Sequence, residues 1–205
     1  MKQEIDPKDT NRAIAFELWT KSPMPMVTIT KTFDVTRLRK VSRRRGMKFN
    51  MLLCWCIGRA ASRIEEFYML PQNDKLYRYD RMAVNVIVNN IKGGLSFCDV
   101  AVCDDLETFN DNYLRLTETI RQTCQDILDE EAVIVGTSAV TGTELDCIVN
   151  QYSGLFNNPF LSWARYRKGW FRTTLPISFQ FHHAQMDGCQ ATRFMEELQK
   201  IINRL

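Results

Sequence analysis

The sequence predicts an α+β fold with a largely mixed sheet. Stretches of period-two alternation and stretches with apolar residues three and four apart both occur along the chain. The two kinds do not alternate one for one, as a doubly wound parallel sheet would require. No internal repeat and no low-complexity linker divides the 205 residues, so they form a single domain, 1–205, long enough to bury a full core.

In chain order, residues 9–19 read as a short helix, with Thr10 or Asn11 as its cap and Ile14, Phe16, Leu18 and Trp19 supplying apolar contacts. Pro23 and Pro25 end it. Residues 26–33 alternate as a strand, and Asp34 or Thr36 caps a following helix with Val35, Leu38 and Val41 on one side. Residues 49–64 are apolar at helical spacing and form the main buried helix, with Cys54 and Cys56 as core residues. Strands are expected at 76–79 and 82–88. The Lys92-Gly93-Gly94 turn then leads into a hairpin partner at 95–102. Residues 106–128 form a long amphipathic helix with Phe109, Tyr113, Leu116, Ile120 and Ile127 inward, and 133–140 a buried strand. After a loop-rich stretch at 149–160 come two strands and a final helix carrying Ala191, Phe194, Met195, Leu198 and Ile201.

The composition narrows the function. Hydrophobic residues make up 45% and charged residues 25%, and the net charge of +3 is mild, so no strong polyanion partner is implied. The basic cluster Arg37, Arg39, Lys40, Arg43, Arg44, Arg45 and Lys48 is either a solvated helix face or an attraction for phosphates. It has no interleaved aromatics, so no nucleic-acid partner is expected. Seven cysteines without a Cys-x-x-Cys pair argue against a disulfide framework and a zinc ribbon, and no metal is expected. The first residues form no apolar signal region and no run is long enough to span a bilayer, so a cytoplasmic protein with no membrane partner is expected.

The chemistry concentrates near the C-terminus. The only two histidines, His182 and His183, stand side by side where an alternating strand ends, followed by Asp187 and Gly188 and then the last helix. The pattern His-His-x-x-x-Asp-Gly on such a turn resembles the active-site signature of the chloramphenicol acetyltransferase family. Looser versions occur in the acyltransferase cores of 2-oxoacid dehydrogenase complexes and in peptide-synthetase condensation domains. The resemblance extends along the chain: Arg12-x-x-x-Phe16-Glu17, Asp34-Val35-Thr36-x-Leu38, Lys48-Phe49, the stretch from Ser96 through Tyr113-Leu114, Ser138-Ala139 and Tyr166 are in order and cover nearly its whole length.

Several expectations follow from that resemblance. The fold is a two-layer sandwich, a mixed sheet with helices packed on one side. The reaction is acetyl transfer from acetyl-CoA to a small hydroxylated acceptor, chloramphenicol first among them, with antibiotic resistance as the associated role. His183 is the general base, a task suited to an imidazole whose ordinary pKa is about 6.5. The resemblance implies that a backbone carbonyl fixes its tautomer. His182 is a supporting neighbour, and Arg12 pairs with Asp187 to hold the loop that ends at Gly188. Ser138 supplies the oxyanion donor and Ser162 holds a water near the same intermediate. Tyr166 belongs to the CoA site. Leu18, Trp19, Pro23, Leu95 and Phe97 fall at acceptor-pocket positions. Homotrimers with active sites between subunits complete the implied picture. Thr141-Gly142 stands where the family has Pro-Trp near the CoA arm, and the pocket residues differ from those of the drug-acetylating members. Two other functions stay open at this point. One is an acyltransferase core working on a lipoyl thiol, although the 205 residues contain no Pro/Ala-rich linker. The other is a non-catalytic trimeric homologue that binds a ligand.

Overall fold

The computed structural model describes residues 1–205. Its main sheet runs in the order β2 (Met26–Asp34), β10 (Thr173–His182), β8 (Phe160–Ala164), β7 (Val133–Val140), β5 (Met82–Asn89), β6 (Leu95–Ala101), with β9 (Arg167–Lys168) paired to the start of β10. The pairs β7–β8 and β5–β7 are parallel and the others antiparallel, so the sheet is mixed. β5 and β6 form the expected hairpin.

Alternation sorts the side chains into two faces. Leu175, Ile177, Phe179 and Phe181 of β10 join the core with Leu38 and Val41 of α2 (Thr36–Arg45), the apolar side of α3 (Phe49–Ala61), Phe109, Tyr113 and Ile120 of α4 (Leu106–Thr123), and Phe194 and Leu198 of α5 (Gly188–Arg204). Helices therefore cover one face, giving the two-layer sandwich. α3 is its centre, with Cys54 and Cys56 buried as expected. Phe179 packs against Phe67, Phe181 and Phe194 at 5.7, 5.1 and 4.8 Å between ring centroids. Such pairs add about 0.5–1.5 kcal/mol each beyond area burial and stiffen the strand that ends at the histidines. No helix is long and apolar enough to cross a membrane.

The structure corrects several expectations. The first helix divides into a 3₁₀ turn at Pro7–Asp9 and α1 (Ala13–Trp19). Neither Thr10 nor Asn11 caps α1, because the Thr10 hydroxyl bonds locally to Pro7 O and Arg12 N while Asn11 reaches Glu66. Its apolar residues are not core: Ile14 and Leu18 are exposed. α3 stops at Ala61, three residues before the expected end. α4 ends at Thr123 because Cys124 turns left-handed (φ 57°), and Ile127 instead exchanges backbone bonds with Phe97 and Asp99 along the edge of β6. A second, three-stranded antiparallel sheet was not anticipated: β1 (Lys2–Ile5), β4 (Lys75–Tyr79) and β3 (Met69–Gln72).

Candidate active site

The turn after β10 is fixed from several directions. The His183 N–H donates to Pro25 O (2.8 Å), and His182 O accepts from both Gln185 N and Met186 N. Asp187 caps α5: its Oδ1 accepts from Cys189 N at 2.9 Å, while Gln190 Oε1 accepts from Asp187 N, closing a capping box. Gly188 opens the helix on the surface with no neighbour crowding its Cα. Arg12, only 4% exposed, reaches across from the N-terminal segment. Its Nη1 pairs with Asp187 Oδ2 (3.0 Å), its Nη2 donates to His183 O (2.9 Å) and its Nε to Ala184 O (3.3 Å). Burial raises the Asp187 carboxyl, but the Cys189 N–H and the Arg12 guanidinium outweigh it and hold the group below the ordinary carboxylate value. A fork that binds a charge and two carbonyls at once is not replaceable by lysine.

Sequence reasoning missed three other braces. Gln185, fully buried, donates to Met69 O of β3 at 2.6 Å, and Gln190 and Asn11 both donate to the buried Glu66.

The two imidazoles live differently. His182 is buried, and its Nδ1 accepts from Ala184 N (3.0 Å), which places the proton on Nε2. Burial, helped by the neighbouring His183, pushes its pKa down to about 4. Because the unfolded chain binds this proton more readily, stability falls as pH drops from about 6.5 toward 4 and levels off below. Between pH 7 and 5 the expected loss is about 2 kcal/mol. Chemical unfolding at those two pH values checks this; His182→Gln should flatten the difference.

His183 is half-buried and stacks on Trp19, with centroids 4.6 Å apart and planes 10° from parallel. The expected carbonyl bond that fixes its tautomer is not formed on Nδ1: that atom has no partner in the chain. Trp19, not a carbonyl, sets the ring plane.

The helix-free face of the sheet carries a row of hydroxyls. Thr30, Ser178, Ser162 and Ser138 lie directly opposite one another on β2, β10, β8 and β7. Three of them are engaged. Thr30 Oγ1 and Ser178 Oγ lie 2.9 Å apart, Ile148 N donates to Ser178 Oγ, and Ser162 exchanges bonds with the Asn150 amide. Ser162 is thus buried and tied to a side chain, which does not favour a water-holding role. The fourth, Ser138, is half-exposed and its hydroxyl makes no bond within the chain. Ser138 stands two strands and four residues away from His182, on the order of 16 Å at about 3.3 Å per residue and 4.8 Å per strand. One chain does not bring Ser138 and His183 together.

Two cavities flank this row. At the C-terminal ends of β7 and β8, Thr141 and Ala164 help line one of about 800 Å³ with Lys48, Phe49, Arg165, Tyr166 and Lys168. Tyr166 packs on Phe49 (5.0 Å), with the Arg39 guanidinium 5.9 Å above its ring. At the other end, Gly136 and Phe160 help line one of about 630 Å³ with Phe97, Asn85, Asp99 and Phe156. Gly136 is required there, since a Cβ would sit 2.3 Å from the Phe160 ring. Along both strands the hydroxyls of Ser138 and Ser162 lie midway between the cavities. Of the other expected pocket residues, Leu18 and Pro23 are exposed on the His183 side, and Leu95 is exposed at the start of β6 outside the cavity lining.

The family profile described as chloramphenicol acetyltransferase matches residues 2–199. The chain belongs to the chloramphenicol acetyltransferase family. Among its relatives, a protein named chloramphenicol acetyltransferase 3 from Escherichia coli is 25% identical over 208 residues, 98% of this chain and 96% of its own length. A solved chloramphenicol acetyltransferase superposes with a TM-score of 0.83 at 19% identity, covering 98% of this chain and all of that one. The truncated catalytic core of a 2-oxoacid dehydrogenase complex from Thermoplasma acidophilum shares the fold more distantly, with a TM-score of 0.65 at 17% identity over 98% of each chain.

Past the end of β7 the chain turns at Thr141-Gly142. Arg165 braces it by donating to both Thr141 O and Gly142 O, and with Lys168 it flanks Tyr166 at the cationic cavity. Sequence reasoning missed both cations, although they stand within two residues of Tyr166. The Arg12 fork gives a direct expectation. Arg12→Ala should lower kcat about 10- to 100-fold with little change in KM, because the turn loses its anchor while the cavities stay intact. Steady-state kinetics on both substrates check it; a change confined to KM contradicts it.

Proposed function

We propose that this acyltransferase moves the acetyl group of acetyl-CoA to a hydroxyl of a small acceptor, chloramphenicol being the first to test, at sites shared between copies of a homotrimer. One observation supports this above the rest: an unpartnered Ser138 hydroxyl sits between two cavities, while His183 is presented on a braced turn about 19 Å away, two strands and five residues from it. The cationic cavity, with Lys48, Arg165 and Lys168 around Tyr166, suits the phosphates and adenine of CoA. The aromatic-walled cavity suits the acceptor. A neighbouring copy then supplies His183 across the interface.

In this reading Nε2 of His183 takes the acceptor's hydroxyl proton as the oxygen attacks the thioester carbon. Ser138 Oγ–H donates to the oxyanion that develops, the carbon–sulfur bond breaks, and the proton passes to the departing thiolate. Acceptor ester and free CoA are the products, with no covalent acyl-enzyme. Trp19 holds the imidazole plane from one side.

The test is product mass after incubation with acetyl-CoA and equal amounts of chloramphenicol and dihydrolipoamide. Mass is preferable to thiol colour because the chain has seven cysteines, of which Cys147 and Cys189 are exposed. Chloramphenicol plus one acetyl is the expected product. Acetylated dihydrolipoamide in its place would assign the acceptor to the thiol class.

A further inference from the structure

At the end of β10 farthest from His183, the hairpin with β9 closes through a bond from Gly169 N to Arg172 O (2.8 Å). Its tip is Trp170-Phe171, 99% and 94% exposed, the most exposed large apolar residues in the chain. The stem is rigid. Thr173 N donates to Thr36 Oγ1 (2.8 Å), Thr173 O accepts from Val35 N (2.9 Å), and Arg39 Nη1 reaches Thr173 Oγ1 (3.4 Å). The tip therefore stands beside the N-terminal half of α2. Along α2, Arg37, Lys40 and Arg44 share one exposed stripe at i, i+3 and i+7 that starts beside the tip and runs to the last turn, and none of them has a carboxylate partner.

A rigid apolar tip set among unpaired cations matches one environment in particular, the interface of an anionic bilayer. There aromatic rings settle at the headgroup level while cations face phosphates. Single-stranded nucleic acid would need aromatic platforms spaced along the cationic path, and α2 carries none. We propose that this face docks the protein on an anionic lipid surface, with Trp170 and Phe171 entering the headgroup–acyl boundary and Arg37, Lys40 and Arg44 of α2 over the phosphates. Ten residues of β10 separate the tip from His183, about 33 Å, so docking leaves the catalytic turn free.

The experiment is co-sedimentation of the full chain with vesicles of phosphatidylglycerol and phosphatidylcholine in equal parts, and with phosphatidylcholine alone, while following tryptophan emission. Trp163 is buried and Trp19 and Trp55 are half-buried, so an emission shift on binding reports chiefly on Trp170. Binding to the anionic vesicles only, weakened by salt and blue-shifting the emission, is expected. Trp170→Ser with Phe171→Ser should bind about tenfold less with the acetyl-CoA KM unchanged, whereas Trp170→Phe should keep binding and lose the shift. Because both side chains are in solvent, these variants should fold normally, which a thermal melt checks. A wild-type protein that stays in the supernatant overturns the proposal, as does a double variant that binds equally well. So does a raised acetyl-CoA KM in the double variant without any vesicle binding by the wild type, which would assign the tip to the cofactor.

Discussion

His183→Ala is expected to lower kcat by about 10⁴-fold while the protein stays folded. The reasoning runs through the turn. The loop is held by backbone bonds to Pro25 and His182 and by the Arg12 fork, none of which uses the imidazole. Truncation removes the imidazole and the stack on Trp19 but leaves the frame. No other histidine can take over. His182 is buried with its Nδ1 occupied and its pKa pushed down to about 4, so it does not reach the acceptor and is too weak a base to take the hydroxyl proton. Single-turnover rates and a thermal melt on the same preparation check both halves; turnover within about tenfold of wild type would remove His183 from the base role.

Ser138→Ala is expected to cost about 10²- to 10³-fold in kcat with KM for both substrates nearly unchanged, the pattern of a donor used only as charge develops. The melting temperature should not move, because this hydroxyl has no partner in the folded chain. That separates it from its row-mates. Ser178→Ala would strand Ile148 N, and Ser162→Ala would strand the Asn150 amide, so those variants should lose stability as well.

Much of this arrangement was legible in the chain. Alternation in β2 and β10 is strong because each has one face on the helix layer. The motif places His183, Asp187 and Gly188 at a strand-to-helix turn whatever the surrounding fold. β1 and β3 were not legible for physical reasons: β1 is four mostly polar, exposed residues, and Pro71 within β3 argues against a strand until β4 is seen beside it. The overextended α4 has a similar cause. Ile127 continues the helical spacing but is apolar because it covers the edge of β6, where Asp126 also accepts from Phe97 N. In the site, Gln185, Glu66 and Gln190 look like ordinary surface residues in sequence, and only burial shows them to be braces. The separation of Ser138 from His183 is a matter of strand register, which spacing along the chain does not encode.

That separation makes mixed assemblies the most direct test. His183→Ala and Ser138→Ala chains would be unfolded, mixed in equal amounts and refolded together. If each site takes His183 from one copy and Ser138 from its neighbour, about a quarter of the interfaces pair the two intact residues, and about a quarter of wild-type turnover should return. If both residues served within one chain, every site would stay defective, and a mixture no more active than the two variants refolded separately would contradict the shared site.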